Sequence, residues 1–367
     1  MDKKFVMGIA AMAALTLVSC SSDDLDSFSD NSSKNEAISF DSYLGRSAVA
    51  VNGSRASEET KETLKTNGFG VFSKYTGTAS FSNFVNQKVT GQTFNVGENT
   101  VTKWTYTPLK YWPTQGKIDF LAYAPHKDGQ QLNGNTTTFD FTVANTVAGQ
   151  EDLLWANAKN QAKTDKEPVT FTFNHALSRL GYTVKLYGDY SSTDATNKAT
   201  FKLNQITLAG SADGNTPAFY KKATIDLSKA PSEGPWSNQS SSDKLKFDWV
   251  STPYDLTSTE PYNPDQNNNY LFVIPQDFSQ TKTAGHDVDE LYVIVNYTID
   301  YGEGKTQTNT VYKQIKKNFV QGKAYKFNLT IGLPIEFDVK VVEGWTAPAD
   351  GTGDTNIGSE TENPWDR

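Results

Sequence analysis

Cysteine is almost absent from this sequence of 367 residues, in which Cys20 is the only one. A disulfide within the chain is therefore excluded, and the fold must be stabilised by its hydrophobic core and by strand pairing. Histidine is also scarce, with three residues, so few side chains are available for metal binding. The net charge is −8 and no basic stripe is present, which argues against binding to nucleic acid.

The segment before Cys20 has the pattern of a bacterial lipoprotein signal. Lys3 and Lys4 give it a positive start, and residues 5–18 form an apolar stretch that is too short to span a bilayer. Residues 1–19 are therefore predicted to be a signal peptide, and Cys20 is predicted to carry the lipid that anchors the exported chain. The alternative is an ordinary secretory signal with an incidental cysteine.

Both ends of the exported chain are polar. Residues 20–36 begin with an acidic, serine-rich stretch, and residues 346–367 are rich in Gly, Asp, Thr and Glu. Neither segment has enough apolar residues to offset the entropy lost on folding, so we predict a flexible tether and a disordered tail. Acidic residues after a lipidated cysteine also resemble the signal that sends lipoproteins to the outer face of the outer membrane in some anaerobic Gram-negative bacteria.

The rest of the chain is rich in Thr, Asn, Tyr and Phe and predicts an all-β fold. Apolar residues alternate or run together in short segments that are separated by turn residues. Residues 104–113 contain two prolines and are predicted to be an edge strand that leads into a turn. The other predicted strands are residues 68–75, 118–125, 169–173, 181–187, 199–208, 270–275, 291–299, 325–331 and 335–341.

Several of the predicted strands are nearly continuous in apolar residues, which indicates strands that are buried on both faces, as in a sandwich core. Long polar loops are predicted between others, because Ser, Asn, Asp, Gly and Pro are concentrated at residues 210–217, 231–243 and 251–269. A break in the strand pattern near residues 174–180 predicts two domains, 37–174 and 175–345.

The sequence offers little chemistry for an active site. His126 and His175 lie at strand ends, and His286 lies in a polar loop beside two aspartates, where a solvated loop is preferred to a metal site. Residues 213–215 could begin a calcium loop, but the downstream acidic ligand is missing and a turn is the better interpretation. No nucleophile elbow or phosphate loop is present. The protein is therefore predicted not to be an enzyme and to need no metal or other cofactor.

Aromatic residues have two interpretations. Flat rings could form a platform for sugar at four positions of the predicted edge segment: Trp104, Tyr106, Tyr111 and Trp112. Core packing is preferred, because a sandwich without disulfides needs the buried area that aromatic rings supply. Trp236 and Trp249 lie in or beside a polar loop and are predicted to be more exposed.

Several short segments follow the leader in a characteristic order. They are Ile-Ser-Phe at 38–40, Arg-Ala at 55–56, Thr-Asn-Gly-Phe-Gly-Val-Phe at 66–72, Lys-Tyr-Trp-Pro at 110–113, Asp-Phe-Leu-Ala-Tyr-Ala-Pro at 119–125 and Phe-Thr-Phe-Asn-His-Ala-Leu-Ser-Arg-Leu at 171–180. The series spans nearly the whole chain and resembles the fimbrillin family, in the branch grouped with minor-fimbrium anchor and accessory proteins. The resemblance implies two transthyretin-like β-sandwich domains in tandem. It also implies a subunit of a cell-surface pilus, in the shaft, at the tip or as an anchor.

The same resemblance implies cleavage after an arginine. Arg46 and Arg55 lie in a polar segment downstream of the predicted strand at residues 38–44, where an extended backbone can enter a protease cleft. Arg46 lies closer to the strand and is slightly preferred, whereas Arg55 belongs to the Arg-Ala pair. Either is otherwise an ordinary surface residue. Removal of the strand would expose an apolar groove with unpaired strand edges, which is a template for another strand.

The last predicted strand is the candidate donor for such a groove. Its apolar side chains fall on one face, as a strand lying in a groove requires: Ile335, Phe337, Val339 and Val341. The alternative is that this strand completes its own domain, since the strands of a sandwich alternate for the same reason.

Two functions are therefore open. The first is a structural or adhesive pilus subunit, exported as a lipoprotein and joined to other subunits by strand exchange after N-terminal processing. The second is a monomeric outer-membrane lipoprotein that binds polysaccharide. Both place the chain at the cell surface with its lipid in the outer membrane, and both leave a host protein or glycan open as a further partner.

Overall fold

The computed structural model describes residues 37–44, 59, 61–96, 99–163, 168–190, 198–240, 242–250, 252–261, 270–283, 287–333 and 337–343. Within these residues the secondary structure consists of twenty-three strands, one short α-helix and one 3-10 turn. The predicted all-β class is confirmed.

The strands of the first half are β1 (Phe40–Leu44), β2 (Phe69–Tyr75), β3 (Gln87–Val96), β4 (Asn99–Thr105), β5 (Ile118–Ala124), β6 (Thr138–Thr142), β7 (Leu154–Gln161) and β8 (Val169–His175). The helix α1 (Lys61–Asn67) precedes β2, and the 3-10 turn (Val147–Gly149) precedes β7. The strands of the second half are β9 (Ser178–Leu186), β10 (Thr200–Ala209), β11 (Phe219–Tyr220), β12 (Lys222–Asp226), β13 (Trp236–Ser237), β14 (Lys244–Leu245), β15 (Phe247–Val250), β16 (Tyr254–Leu256), β17 (Leu271–Val273), β18 (Gln276–Asp277), β19 (Tyr292–Asp300), β20 (Thr306–Gln314), β21 (Asn318–Phe319), β22 (Ala324–Ile331) and β23 (Phe337–Glu343).

Seven strands of the first half form one sheet in the order β1-β8-β7-β5-β2-β3-β4. β1 pairs in parallel with β8, whereas the other neighbours in this sheet are antiparallel. β1 and β4 are therefore the two edge strands of the sheet. The prediction of an edge strand at residues 104–113 is wrong in position, because the edge strand β4 ends at Thr105 and residues 106–113 contain only an isolated bridge at Tyr111.

The second half contains two larger sheets, β17-β9-β22-β23 and β15-β10-β19-β20, and β16 also pairs with β10. A three-stranded sheet, β13-β12-β6, joins the two halves of the chain because β6 pairs with β12. The pairs β11-β14 and β18-β21 are two-stranded. The predicted long loops at 231–243 and 251–269 are therefore wrong in part, since β13 and β16 lie within them.

Two hydrophobic clusters pack against opposite faces of the central strands of the seven-stranded sheet. On β5, Phe120 belongs to the first cluster, which is built from residues 38–173, and Tyr123 belongs to the second. The second cluster consists mainly of side chains from the second half. Burial on both faces explains why β5 reads as a nearly continuous apolar run.

The junction between α1 and β2 requires glycine. Gly68 has φ +72°, and its N–H donates to the Leu64 carbonyl at 2.9 Å to end the helix. A Cβ atom at this position would lie 2.5 Å from the Val89 carbonyl oxygen, so β3 could not approach so closely beside any other residue.

Candidate functional site

Strand β1 has backbone partners on two sides. Along its length it pairs with five consecutive residues of β8. The residues just before it meet residues 106–112, because the Ile38 N–H donates to the Lys110 carbonyl at 2.8 Å and Ala37 forms a bridge with Tyr111. β1 is therefore an edge strand, and the residues that lead into it are held by residues 106–112.

The side chains of residues 38–44, which comprise β1 and the two residues before it, alternate between the first hydrophobic cluster and solvent. Ile38 and Phe40 are buried, whereas Tyr43 is 57% exposed. The Phe40 ring packs among four aromatic rings at centroid distances of 5.4–5.7 Å: Phe84, Tyr106, Phe120 and Phe171. Burying two large apolar side chains is worth about 3–6 kcal/mol before ordering costs. We call the site formed by these four rings, β8 and residues 106–112 the β1 slot.

Tyr106 connects β1 to the chain that follows β4. Its hydroxyl donates to the Ile38 carbonyl at 2.7 Å and accepts the Lys110 N–H at 3.3 Å. Burial raises the pKa of this hydroxyl, which therefore stays protonated and able to donate near neutral pH. Lys110 holds the other side of the segment, since its Nζ donates to the carbonyls of Ser82 and Asn83 at 3.0 and 2.9 Å.

A second tyrosine repeats this arrangement away from β1. Tyr106 and Tyr123 each begin a Tyr-x-Pro-x-Lys sequence, and each hydroxyl accepts the N–H of the lysine four residues later, at 3.3 Å for Lys110 and 3.1 Å for Lys127. They differ in the acceptor, because Tyr123 donates to the side-chain Oδ1 of Asn86 at 2.7 Å instead of to β1. The repeated motif is a sequence signal of this contact that the strand pattern did not reveal.

A buried polar cluster lies at the end of β8. Asp152 Oδ2 is 2.6 Å from His175 Nδ1 and accepts the backbone N–H of Glu59 at 3.3 Å. The Glu59 carboxylate accepts hydrogen bonds from Asn67 Nδ2 at 2.7 Å and from the Thr63 hydroxyl at 3.1 Å. Glu59 is 1% exposed, and this burial raises the pKa of its carboxyl to about 7.

The cluster and β1 together locate both ends of residues 45–58. β1 ends at Leu44, opposite Phe173 of β8. The chain returns at Glu59, whose N–H reaches the carboxylate that contacts His175, the last residue of β8. The segment therefore leaves and re-enters the described structure at the same end of β8.

Several predicted site residues lie outside the described part of the chain. They are the lipidation candidate, both cleavage candidates, the first donor candidate and the loop histidine: Cys20, Arg46, Arg55, Ile335 and His286. The roles assigned to them stay predictions.

The remaining donor candidates belong to β23. This strand pairs with β22 from Phe337 to Glu343 and forms one edge of its four-stranded sheet. Val339 is buried in the second hydrophobic cluster, and the partly buried Val341 packs against that cluster. Within a single chain, β23 therefore lies in its own sheet.

The other polar candidates do not converge. His175 lies within β8 and contacts Asp152, although the sequence pattern placed it just beyond a strand. Asp213 accepts the Asn215 N–H at 3.1 Å, which is the turn that was preferred to a calcium loop. In the described ranges, no group of three or more His, Cys, Asp or Glu side chains is placed to hold a metal ion.

The aromatic residues of the edge segment do not share one exposed face. Tyr106 and Trp112 are buried, Trp104 is half-buried, and Tyr111 is 48% exposed. The preferred interpretation as core is thus correct for the first two of these residues.

Trp249 was predicted to be exposed, and this prediction is wrong. The residue lies in β15 and its ring packs against Tyr182 and Phe327 at centroid distances of 5.0 and 5.5 Å. Strand alternation, which places Trp249 on the same face as the buried Phe247, outweighs the polar loop that precedes it. Trp236 is half-buried and donates from Nε1 to the Ala176 carbonyl at 2.6 Å.

The chain belongs to the fimbrillin-like family, whose model matches residues 54–345. It is 26% identical to the fimbrium subunit Fim1C of Phocaeicola vulgatus, with 95% of this chain and 98% of that protein covered. Its fold is similar to that of a fimbrial protein from Bacteroides vulgatus ATCC 8482, with a TM-score of 0.54 and 21% identity over 84% of this chain and 99% of that one. The resemblance to fimbrillins that the sequence indicated is confirmed. Among the described helical residues, no helix has the length and apolar character needed to cross a membrane.

Proposed function

We propose that this protein is a structural or adhesive subunit of a cell-surface fimbrium and that it assembles with other subunits by strand exchange. Membership of the fimbrillin-like family and similarity to a fimbrium subunit support the fimbrial role and the surface location. The position of β1 is the observation that supports strand exchange. β1 is an edge strand with core side chains, and a single connection, residues 45–58, links it to the rest of the described fold.

Loss of β1 would change the first half of the protein in two ways. The outer edge of β8 would lose its backbone partner. The rings that surround Phe40 would also face solvent. An unpaired strand edge beside an apolar groove favours the addition of a strand from another chain. We therefore assign the β1 slot as the acceptor site.

The export route is part of the same proposal. Residues 1–19 act as a signal peptide, Cys20 carries lipid that anchors the chain in the outer membrane, and residues 20–36 form the tether. The composition of residues 1–36 supports this route, because a short apolar stretch ends at the single cysteine and an acidic stretch follows.

We also propose two transthyretin-like sandwich domains, 37–174 and 175–345. The separate sheets support this division. The seven-stranded sheet contains only strands from β1 to β8, and the two larger sheets of the second half contain only strands from β9 onwards. The first hydrophobic cluster lies wholly within residues 38–173, whereas the second also takes in first-half side chains such as Phe72, Tyr123 and Trp155. The proposed domains are in contact through the pairing of β6 with β12.

Subunits purified from assembled fibres are expected to begin at Ser47 or Ala56, after cleavage at Arg46 or Arg55. The reason is that a cut within residues 45–58 separates β1 from the rest of the described fold, so that another strand can replace it for good. N-terminal sequencing of fibre and membrane fractions measures this directly. A chain with both arginines replaced by alanine is expected to retain the lipidated Cys20 terminus and to stay outside fibres. Fibre subunits that still begin at Cys20 would contradict cleavage and would favour a role as an anchor.

Crosslinking β23 to β22 is expected to block donation of the last strand. Asn328 and Lys340 are paired across these strands, and Cα atoms of such pairs lie about 4.5–5.5 Å apart, within reach of a disulfide. The oxidised Asn328→Cys/Lys340→Cys chain should remain monomeric and should polymerise after reduction, as measured by detergent-resistant fibre content. The matched control is Thr298→Cys/Thr308→Cys, which joins β19 to β20 and leaves β23 free. Equal polymerisation of the oxidised β23 variant and this control would show that β23 is not the donor.

The alternative function, polysaccharide binding, has weaker support. A cleft of about 500 Å³ opens on the β13-β12-β6 sheet and is lined by polar residues that include Asn133, Asp140, Lys222 and Asn238. Sugar sites usually combine such groups with a flat aromatic ring, because the apolar face of a pyranose packs on it. The described residues of this lining contain no aromatic ring. The β1 slot is therefore the better-supported site.

A further inference from the structure

We propose that the hydroxyl of Tyr106 sets the register of the strand that lies in the β1 slot, both for β1 and for a strand that replaces it. Tyr106 is thus a positioning residue that donates a hydrogen bond to the backbone of the strand in the slot. The part that concerns a replacement strand rests on the proposed strand exchange.

The contact is made to the main chain, so it does not depend on the occupant's side chains. Tyr106 donates to the Ile38 carbonyl at 2.7 Å. The ladder with β8 starts one residue later, where the Val169 N–H donates to the Ser39 carbonyl at 2.8 Å. The hydroxyl therefore marks the position at which the occupant enters the ladder.

Two fixed points define the register. The first is the hydrogen bond from Tyr106 to the Ile38 carbonyl, and the second is the aromatic pocket around Phe40. A slip of one residue would turn Phe40 towards solvent, because side chains alternate along a strand. A slip of two residues would return the apolar side chains to the core face, but the aromatic pocket would then hold a side chain other than Phe40.

Tyr106 is held mainly by groups that do not belong to β1. Its ring packs against Phe84 at 5.5 Å, and its hydroxyl accepts the Lys110 N–H. Lys110 is in turn fixed by the carbonyls of Ser82 and Asn83. The hydroxyl should therefore keep its place when β1 leaves. When β1 leaves, the nearest remaining acceptor is the Lys110 carbonyl at 3.3 Å, a longer contact than the 2.7 Å bond to Ile38. An incoming strand is therefore favoured when it offers a carbonyl at the position of Ile38.

Tyr123 provides a matched control inside the same chain. Tyr106→Phe and Tyr123→Phe each remove one hydroxyl that accepts a lysine N–H four residues later. Only the first removes a bond to β1, since Tyr123 donates to Asn86. If only Tyr106→Phe changes the behaviour of β1, the hydroxyl acts by positioning the strand. If both variants change it equally, the effect comes from the bond that each hydroxyl accepts from its lysine.

The first test uses the uncleaved full chain and follows hydrogen exchange of the β1 amides. Loss of one hydrogen bond should raise their exchange rates about five- to tenfold in Tyr106→Phe, with little change in Tyr123→Phe. Equal acceleration in both variants, or none in either, would overturn the proposal. This result does not depend on strand exchange, so it separates failure of the present proposal from failure of the proposed function.

The second test uses the full chain after digestion by an arginine-specific protease, with a labelled synthetic peptide of residues 36–46 as the competing strand. A peptide with a thioamide at the Ile38 carbonyl, which is a weaker acceptor, should bind the wild-type protein about five- to tenfold less tightly than the ordinary peptide. The thioamide peptide and the ordinary peptide should bind Tyr106→Phe equally tightly, as expected when the thioamide and the substitution both remove the same interaction.

The outcomes of the second test are distinct. A thioamide penalty of the same size in the wild type and in Tyr106→Phe would overturn the assignment of this hydroxyl to this carbonyl. Failure of any peptide to displace β1 from the cleaved wild-type protein would overturn strand exchange, and with it the part of the proposal that concerns a replacement strand.

Discussion

Replacing Phe40 with alanine is expected to lower the free energy of unfolding by about 3–5 kcal/mol. The Phe40 side chain is buried between four aromatic rings, which are themselves fixed in the first hydrophobic cluster. These large rings cannot close over the cavity that alanine leaves, so both the transfer energy and the packing energy are lost. Chemical denaturation measures the change. Hydrogen exchange of the β1 amides should also become faster, because the strand loses its main side-chain contact.

Tyr43→Ala is the matched control for this prediction, because it removes an aromatic ring from the same strand on the solvent side. Tyr43 is 57% exposed, and its hydroxyl contacts only the neighbouring Asp41 among the described residues. We expect its effect to stay within about 0.5 kcal/mol. If Tyr43→Ala destabilises the protein as much as Phe40→Ala, β1 is not held by the aromatic pocket.

The strands that the sequence predicted well are those with strong apolar patterns. Residues 118–125 and 325–331 correspond closely to β5 and β22, which are flanked by neighbours on both sides and packed in the hydrophobic clusters. The predicted strand at residues 38–44 likewise corresponds to β1, in which Phe40 is buried and Tyr43 is exposed. Burial imposes these patterns directly on the sequence.

Strands that depend on their neighbours could not be predicted. β20 is nine residues long, yet Val311 and Tyr312 are its only apolar residues. It pairs with β19 along its whole length, so its conformation is fixed by a ladder of backbone hydrogen bonds that leaves no apolar alternation in the sequence. The same limitation explains why α1, a helix of seven residues, was not predicted.

The chemistry of the candidate site was less predictable than its strand. Tyr106 and Ile38 are 68 residues apart in the sequence, and Glu59 and Asp152 are 93 apart. Spacing rules work within one helix, strand or turn, and both contacts arise only when sheet topology brings distant segments together. For Tyr106, the repeated Tyr-x-Pro-x-Lys motif was the available signal. For Glu59, the sequence contained none.

Glu59→Gln is expected to change how stability depends on pH. The folded carboxyl has a pKa of about 7, against an ordinary value of 4.5. Between these two values the folded state keeps a proton that the unfolded state releases. The free energy of unfolding of the wild-type protein should therefore decrease as pH rises from about 4.5 to about 7, and this group should add no further change above that. At about 1.4 kcal/mol per pKa unit, the total loss is about 3 kcal/mol.

The glutamine oxygen can accept from Asn67, and its amide NH2 can donate to the Thr63 hydroxyl, which can rotate to accept. The glutamine side chain has no proton to lose. The variant should therefore gain about 2–3 kcal/mol of stability relative to the wild type between pH 4.5 and pH 8. Glu62→Gln is the control, because Glu62 lies three residues later on the exposed side of α1 and pairs with Lys65 at the surface. Chemical denaturation of the three proteins across this pH range isolates the Glu59 contribution, since the charges of Asp152 and His175 are common to all of them. A difference between wild type and Glu59→Gln that does not vary with pH would mean that this carboxyl is already ionised in the folded protein, and that the polar cluster at the end of β8 stabilises its charge.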